Sequence, residues 1–301
     1  MNIIIPEKFR EFRISQDGSF ALVWLNTIPS LIENALINWN LELVSPTPKA
    51  GATGLVFFVK RGSKKFVLKV GWKDSNTVSE SVALRLWGGN SAVSVENYDA
   101  KSHVMLMERL TDKTLASVPI FQAAEVAGKI IKALSLRPNI TLPSLADRSR
   151  EIQKSFITFA NDATKEYGFI DFKSLLVMLD NRKAELEELL VHGDVHYENI
   201  LLSEVGIWKA IDPKPLIGDI EFSIPELMWT RVDELRDDEI HKLLSTIVDA
   251  GALGYQKALE WSIIRSIDYY FWAVSSGLTD DPPRCRRVYD ALMKHYTNNK
   301  V

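Results

Sequence analysis

The first third of the chain carries strand signals, and helical periodicity dominates the remainder. Three runs rich in Val, Phe and Leu alternate with Gly or Ser turns and predict antiparallel strands: residues 41–45, 54–62 and 64–72. Apolar spacing over 75–89 predicts one helix, and residues 92–100 and 102–110 predict two more strands. This order predicts an α+β protein with two lobes, an antiparallel β lobe carrying one key helix and a mostly α-helical lobe.

The change from strand to helix signals falls near residue 110 and sets the predicted domain division. We expect an N-terminal lobe over 1–107, a hinge over 108–112 and a C-terminal lobe over 113–301. An early helix is predicted over 30–40. In the C-terminal lobe, helical periodicity predicts four segments: 121–135, 145–168, 171–190 and about 254–276.

Composition narrows the functional classes. With a formal net charge of −3, the 301 residues supply no basic field for a polyanion, so we expect no nucleic-acid partner. One cysteine, Cys285, excludes an intramolecular disulfide and fits a reducing compartment. The first residues lack the pattern of a secretion signal, and no apolar run reaches membrane-spanning length. These features predict a cytoplasmic protein with no membrane partner and a small-molecule substrate.

The segment VHGDVHYENILL, residues 191–202, concentrates polar side chains between apolar runs. His192 and His196 have the spacing of a helical zinc-protease motif, but Gly193 stands where that motif needs glutamate, and no helix is indicated. A polar turn without chemistry is the second interpretation. The third is a catalytic loop, and residues elsewhere in the chain favour it.

Phosphoryl transfer needs a base for the acceptor hydroxyl and hard ligands for Mg²⁺. Asp194 is a candidate base, and Asn199 follows it at the spacing of a catalytic aspartate and a metal-binding asparagine. Asp212 follows a predicted strand hairpin over 200–211 whose turn lies near Gly206. Amide and carboxylate oxygens suit Mg²⁺ better than a soft-ligand metal, so this set predicts magnesium and not zinc.

The N-terminal lobe carries a matching lysine. Lys69 lies in the strand segment FVLKV, where an ammonium without a counter-charge is costly. Glu80, eleven residues later on the predicted helix, is its expected partner. A strand lysine paired with a helix glutamate is how kinases direct the lysine at ATP phosphates.

Two further features are candidates for nucleotide binding. Gly51, Thr53 and Gly54 form a small-residue turn between two predicted strands, with backbone amides suited to phosphates. The turn matches neither a Rossmann fingerprint nor a Walker A loop. Segment MLMERL, residues 105–110, is the predicted hinge strand, and Glu108 marks where backbone groups would meet the adenine edge.

Taken together, FVLKV, the helix with Glu80, MLMERL, HGDVHYENIL and AIDPKPLIGD resemble the aminoglycoside phosphotransferase family within the protein-kinase-like fold. The last two segments are most similar to the streptomycin 6-kinase and hydroxyurea phosphotransferase branch. The resemblance extends over roughly residues 40–280. It implies ATP and Mg²⁺ as cofactors and transfer of the γ-phosphoryl group to the hydroxyl of a small acceptor.

By that resemblance, Asp194 is the catalytic base, Asn199 and Asp212 hold Mg²⁺, and His192 supports the catalytic loop. Lys69 contacts phosphates and Glu80 orients it. One departure is Glu198, which stands where relatives usually have glycine.

A cationic acceptor would need carboxylates near the base, and the candidates are Glu221, Glu226 and Asp268. Surface charge is the simpler interpretation of each one. The implied acceptor is aminoglycoside-like or hydroxyurea-like. A kinase of an ordinary metabolite and a catalytically silent nucleotide-binding module remain alternatives, whereas the lack of an APE-like segment disfavours a protein kinase.

Overall fold

The computed structural model describes residues 3–51, 54–72, 75–161 and 167–298. The chain divides into two compact units, unit 1 over Met1–Thr111 and unit 2 over Asp112–Val301. Unit 1 begins with helices α1 (Glu7–Asp17) and α2 (Ser19–Asn38), which meet at Gly18. The predicted helix over 30–40 is therefore only the end of α2. Its first half escaped prediction because the apolar residues there follow one another without a clear helical period.

Helix α2 corrects the expectation that no apolar run reaches spanning length. By length and composition alone it is apolar enough to cross a membrane. One face of this helix is nevertheless buried in the core of unit 1, where Leu25, Ile28 and Ile32 join side chains from the strands. Burial of this face is what an amphipathic core helix of a folded domain requires.

The described part of unit 1 contains one six-stranded sheet in which every pairing is antiparallel. The two strands predicted over 54–62 and 64–72 form a long antiparallel hairpin over 54–71, which lies at the centre of the sheet and turns at Gly62 with φ of +59°. Five strands follow the order β1, β3, β4, β6, β5, with β2 also paired to β3. The strands are β1 (Glu42–Leu43), β2 (Lys49–Ala50), β3 (Gly54–Arg61), β4 (Lys64–Gly71), β5 (Val95–Asp99) and β6 (Val104–Glu108).

Helix α3 (Ser75–Trp87) interrupts the sheet between β4 and β5, as the apolar spacing predicts. It ends before Gly88 and Gly89, which both have positive φ. On the neighbouring strands, alternate residues such as Leu55, Phe57 and Val59 are buried and form the sheet's core face.

Unit 2 is mostly helical. The helix predicted over 171–190 is wrong at its C-terminal end, because it stops at Ala184 and residues 189–191 form a strand. A buried apolar triplet reads equally well as helix or strand, which explains the error. The described helices are α4 (Ile120–Leu134), α5 (Leu145–Asn161), α6 (Phe172–Ala184), α7 (Pro225–Trp229), α8 (Asp237–Gly251), α9 (Tyr255–Ser275) and α10 (Asp281–Asn298).

Two small antiparallel pairs of strands complete the described part of unit 2. Strand β7 (Leu189–Val191) pairs with β10 (Leu216–Gly218), and β8 (Ile200–Leu202) pairs with β9 (Trp208–Ala210). The β8–β9 hairpin confirms the predicted turn near Gly206, which has φ of +82°. These two pairs hold the segments 192–199 and 211–215 at their ends.

Candidate active site

In unit 1, Lys69 and Glu80 form the predicted ion pair. The Nζ of Lys69 lies 2.6 Å from Oε1 of Glu80, and each side chain is only 5% exposed. Lys69 is fixed on β4, where it lies opposite Val56 and Met105 in the neighbouring strands. Because both charges are withdrawn from water, each depends on the other.

The small-residue turn of unit 1 is described in part. Thr53 lies outside the described residues. The Gly51 amide donates to the Gly54 carbonyl at 2.9 Å, which closes the turn between β2 and β3. A Cβ at Gly54 would meet the Val70 carbonyl oxygen, so the close approach of the two backbones requires glycine there.

Glu108 ends strand β6. Its Oε1 accepts a 2.8 Å hydrogen bond from the Ser94 amide, and its own amide donates to the Ser94 carbonyl at 3.0 Å. The side chain therefore fixes the chain entering β5 against the last residue of β6. The predicted hinge begins at this residue, and the division between the two units falls after Thr111.

In unit 2, His192 follows β7 directly and is 2% exposed. Its Nε2 lies 3.1 Å from the Ile211 carbonyl oxygen, and its Nδ1 lies 3.4 Å from the Asp194 amide. A hydrogen on Nε2 satisfies both contacts, because Nδ1 then accepts and Nε2 donates. Burial lowers the pKa of His192 to about 4, so the imidazole is neutral at physiological pH. It links the segment before Asp194 to the segment before Asp212.

The backbone also holds Asp194 and Asn199 together. The Asn199 Nδ2 donates to the Asp194 carbonyl at 3.0 Å, and the Ile211 amide donates to the Asn199 carbonyl at 2.9 Å. Asp212, the next residue, is exposed and adopts a left-handed backbone with φ of +52°, which aspartate tolerates better than most residues. The turn that brings Asp212 out of β9 is thus bonded to the turn that follows Asp194.

Gly193 lets two segments of unit 2 approach closely. It has φ of +74°, and an added Cβ would overlap the Lys214 carbonyl oxygen. The Lys214 amide in turn donates to the His192 carbonyl at 2.9 Å. Only glycine combines this backbone conformation with this contact.

Asp194 lies between a lysine and a second carboxyl. Its Oδ2 is 3.1 Å from Nζ of Lys214, and its carboxylate is hydrogen-bonded to Glu226. Burial acts to raise the pKa of Asp194, but the hydrogen bond from Glu226 and the charge of Lys214 outweigh it and hold that pKa below its usual value. Burial and the charge of Asp194 raise the pKa of Glu226 to about 8. At neutral pH, Asp194 is therefore the ionised member of the pair and Glu226 the proton donor.

The three predicted acceptor carboxylates have different surroundings. Glu226 adjoins Asp194 and also lies 3.2 Å from Arg265. Asp268 is paired with Arg265 and, at 2.6 Å, with Arg148. Both Glu226 and Asp268 are therefore parts of one connected cluster of ionisable side chains that ends at Asp194.

Glu221 lies elsewhere in unit 2. Its Oε1 accepts a 2.7 Å hydrogen bond from the Gly254 amide, and burial raises its pKa. Gly254 precedes α9, whereas Arg265 lies eleven residues later on that helix, a separation of about 16 Å along its axis. Glu221 and Glu226 are thus attached to different parts of α9.

Two residues at this site escaped sequence reasoning. Arg265 bridges Glu226 and Asp268, and its signal was an arginine placed in the largely apolar part of α9. Lys214 forms an ion pair with Asp194. Its signal was its position between Pro213 and Pro215, two residues after Asp212.

Asp219 has no side-chain capping bond to the short helix that follows it. It is fully buried and instead accepts hydrogen bonds from the Glu187 amide, Lys257 and Trp261. It thereby joins the segment before β7 to α9 and supports the start of the loop that carries Asp194.

Comparisons with known proteins agree on one family. The family model described as aminoglycoside/hydroxyurea antibiotic resistance kinase matches residues 42–277. A streptomycin 6-kinase of Streptomyces griseus is 26% identical over 97% of this chain and 98% of the relative. A hydroxyurea phosphotransferase of Kitasatospora aureofaciens is also 26% identical, over 96% of this chain and 86% of the relative.

Solved structures share the protein-kinase-like fold. A choline/ethanolamine kinase family protein from Mesorhizobium loti has a TM-score of 0.60 and 13% identity, covering 89% of this chain and 94% of its own. Choline kinase LicA from Streptococcus pneumoniae has a TM-score of 0.58 and 16% identity, and the match covers 89% of this chain and 99% of LicA. Aminoglycoside phosphotransferase APH(4)-Ia, crystallised with AMP-PNP and hygromycin B, has a TM-score of 0.58 and 14% identity. The match covers 87% of this chain and 98% of that structure. The predicted α+β fold class is confirmed.

Proposed function

The chain belongs to the family of aminoglycoside/hydroxyurea antibiotic resistance kinases, and from that membership we propose an ATP-dependent phosphotransferase acting on a small hydroxylated acceptor. A streptomycin-like aminoglycoside is the proposed acceptor, because streptomycin 6-kinases match almost the whole chain. Hydroxyurea is the second acceptor to test. The proposed location is the cytoplasm, where ATP is available.

One arrangement carries the proposal: Asp194 lies 3.1 Å from the Lys214 ammonium and is hydrogen-bonded to Glu226, and both contacts lower the pKa of its carboxyl. A base that receives a hydroxyl proton must be unprotonated before transfer, and Asp194 meets that condition at neutral pH. In the proposed reaction, the acceptor hydroxyl donates to Asp194 while its oxygen attacks the γ-phosphorus of ATP. His192 contributes by fixing the backbone on both sides of this loop.

The proposed Mg²⁺ ligands are Asn199 and Asp212. The donor set fits this ion, since both side chains offer hard oxygen atoms. Asn199 uses its Nδ2 toward the Asp194 carbonyl, so its Oδ1 is the amide atom offered to a cation. Magnesium would supply charge neutralisation of the ATP phosphates.

The proposed nucleotide-binding lobe is residues 1–107, with residues 108–112 as hinge and 113–301 as the catalytic and acceptor-binding lobe. Lys69 would contact the α and β phosphates with Glu80 holding it, and the buried 2.6 Å ion pair supports this assignment. Gly51, Thr53 and Gly54 would offer backbone amides to phosphate. The backbone near Glu108 would meet the adenine edge.

Of the three proposed acceptor contacts, Glu226 has the strongest support because it adjoins Asp194. Asp268 already has two arginine partners and Glu221 a backbone donor. An acceptor cation would therefore interact mainly with the Asp194–Glu226 pair, and the other two carboxylates would contribute a weaker, more distant field.

The experiment is a transfer assay with Mg²⁺-ATP and separate acceptors, namely streptomycin, hygromycin B and hydroxyurea. Mass spectrometry detects addition of one phosphoryl group. Wild type is compared with Asp194→Ala and with Asp249→Ala, which removes an exposed aspartate of α8. We expect a phosphorylated product of streptomycin with wild type and Asp249→Ala, and none with Asp194→Ala.

The other outcomes separate the alternatives. Binding of AMP-PNP without product from any acceptor would overturn the antibiotic acceptor and favour an ordinary metabolite. Absence of nucleotide binding would overturn the enzymatic proposal and favour a silent module.

A further inference from the structure

We propose that Lys214 is a second catalytic residue, whose ammonium contacts the phosphoryl group as it moves from ATP to the acceptor. This inference rests on the proposed kinase function and on Asp194 as its base. In the structure, Nζ of Lys214 lies 3.1 Å from Oδ2 of Asp194. A cation this close to the base is also close to the hydroxyl oxygen that the base activates, and that oxygen forms the new bond to phosphorus.

The backbone of Lys214 is held beside Asp194 independently of the ion pair. Its amide is bonded to the His192 carbonyl, and its carbonyl lies against Gly193. Pro213 and Pro215 flank it, are both buried, and have restricted φ angles. Directly after them, β10 pairs with β7. The root of the side chain is therefore fixed, and only the four-carbon stem and the ammonium are left to move.

The Lys214 ammonium has freedom that the Arg265 guanidinium lacks. The Lys214 side chain is 60% exposed, whereas that of Asp194 is 15% exposed. Because the lysine side chain is largely exposed, its ammonium can turn from Asp194 to another anion without entering the protein interior. Arg265 is 10% exposed and already paired with Glu226 and Asp268, so it has no comparable freedom.

The transfer step explains why a mobile cation is needed here. The acceptor oxygen forms a bond to the γ-phosphorus, the bond between that phosphorus and the β–γ bridging oxygen breaks, and ADP leaves with the bonding pair. The hydroxyl proton goes to Asp194. Lys214 keeps its three protons and donates hydrogen bonds to the phosphoryl oxygens, which offsets their repulsion by the carboxylate of the base.

A purely structural role predicts different behaviour. If Lys214 only holds Asp194, its loss lowers stability slightly and leaves affinity for a transition-state mimic unchanged. If it contacts the moving phosphoryl group, its loss lowers kcat, leaves KM nearly constant and selectively weakens that mimic.

The test compares wild type, Lys214→Met, Lys214→Arg and Lys154→Met, the last removing an exposed lysine of α5. Two rates are measured for each, phosphoryl transfer to streptomycin and hydrolysis of Mg²⁺-ATP without acceptor, where water receives the group. Calorimetry measures affinity for AMP-PNP and for ADP with aluminium fluoride, which mimics the phosphoryl group in transfer.

For Lys214→Met we expect kcat to fall about 100-fold, as for loss of one transition-state donor, with KM changing less than about twofold. Affinity for ADP with aluminium fluoride should fall more than about tenfold, while AMP-PNP affinity stays within about twofold. Lys214→Arg should recover most of both losses because it keeps the charge, and Lys154→Met should match wild type.

Equal loss of AMP-PNP and aluminium fluoride affinity, or a kcat within about threefold of wild type, would overturn the inference. Failure of the proposed acceptor looks different, because wild type would then hydrolyse ATP without phosphorylating streptomycin. Hydrolysis would still report on Lys214 in that case. A wild type that neither binds AMP-PNP nor hydrolyses Mg²⁺-ATP would overturn both proposals.

Discussion

Two lysine–carboxylate pairs, one in each unit, differ in burial far more than in distance. Lys69 and Glu80 lie 2.6 Å apart with both side chains 5% exposed. Lys214 and Asp194 lie 3.1 Å apart, with the lysine 60% exposed and the aspartate 15%. The first pair is locked because separation would leave a charge in the protein interior. The second opens more easily because water can solvate the exposed Lys214 ammonium when it leaves Asp194.

The difference separates two tasks. A buried carboxylate partner holds a lysine side chain in one direction. An exposed lysine side chain on a rigid backbone can move its ammonium from one anion to another. The different burial of the two lysines follows from their positions in the fold. Lys69 lies on a central strand, and Lys214 lies in the two-proline segment that precedes β10.

The largest expected effect comes from breaking the buried pair. Lys69→Met deprives the Glu80 carboxylate of its cation, and we expect the free energy of unfolding to fall by about 3–5 kcal/mol. Urea unfolding followed by circular dichroism measures it. Lys69→Met with Glu80→Leu removes both charges and should recover most of this stability without recovering transfer activity. If Lys69→Met alone were as stable as wild type, it would contradict the claim that the buried Lys69–Glu80 pair is costly to break.

A somewhat smaller effect on stability comes from His192, which holds the backbone on both sides of the Asp194 loop. The folded-state pKa of His192 is about 4, against 6.5 for an unperturbed histidine. The unfolded chain therefore binds an extra proton between these pH values, and stability contributed by neutral His192 is lost as pH falls from 6.5 to 4, by up to about 3 kcal/mol.

Urea unfolding at pH 7.5, 6, 5 and 4 isolates this contribution when wild type is compared with His192→Asn, since other groups titrate in both proteins. The variant should show a flatter dependence over this window. Parallel curves would contradict the neutral, buried imidazole.

The contact between Gly193 and Lys214 gives the next effect. Gly193→Ala imposes a left-handed backbone on alanine and drives its methyl group into the Lys214 carbonyl, so stability should fall by about 2 kcal/mol or more. Transfer activity should fall with it, because the base and Lys214 lose their alignment. Gly206→Ala is the matched control, since Gly206 also has positive φ but no atom near the added methyl. An equal loss in both variants would attribute the effect to backbone conformation alone.

The smallest stability effect belongs to the exposed pair itself. Lys214→Met should change the free energy of unfolding by less than about 1 kcal/mol, as expected for an exposed ion pair. Thermal unfolding at low and high salt measures it. A loss comparable with that of Lys69→Met would show that the second pair is also locked and would remove the distinction between them.

Local motifs made the main features predictable. The β3–β4 hairpin, α3 and the Lys69–Glu80 pair followed from apolar alternation and from a lysine in an apolar strand, because these signals lie within about thirty residues. The spacing of Asp194, Asn199 and Asp212 likewise lies within one loop and one hairpin. Their roles remain predictions, although their backbone links are observed.

Contacts between residues that lie far apart in the chain could not be predicted from the sequence. Glu226 reaches Asp194 from α7, thirty-two positions along the chain, and no local pattern reports such a contact. The sequence of β7 is equally compatible with the end of a helix, and its pairing with β10 decides that it forms a strand. Surface charge, the simpler interpretation of the acceptor carboxylates, is wrong for Glu221 and Asp268, because both are buried. No local pattern reports this burial, since the arginines that neutralise Asp268 lie on two separate helices.

The most direct test is single-turnover transfer from Mg²⁺-ATP to streptomycin by wild type and Asp194→Asn, with AMP-PNP affinity measured in parallel. We expect a rate at least about 1000-fold lower for the variant, as for loss of a general base, with nucleotide affinity within about twofold. A variant rate within about tenfold of wild type would contradict Asp194 as the catalytic base.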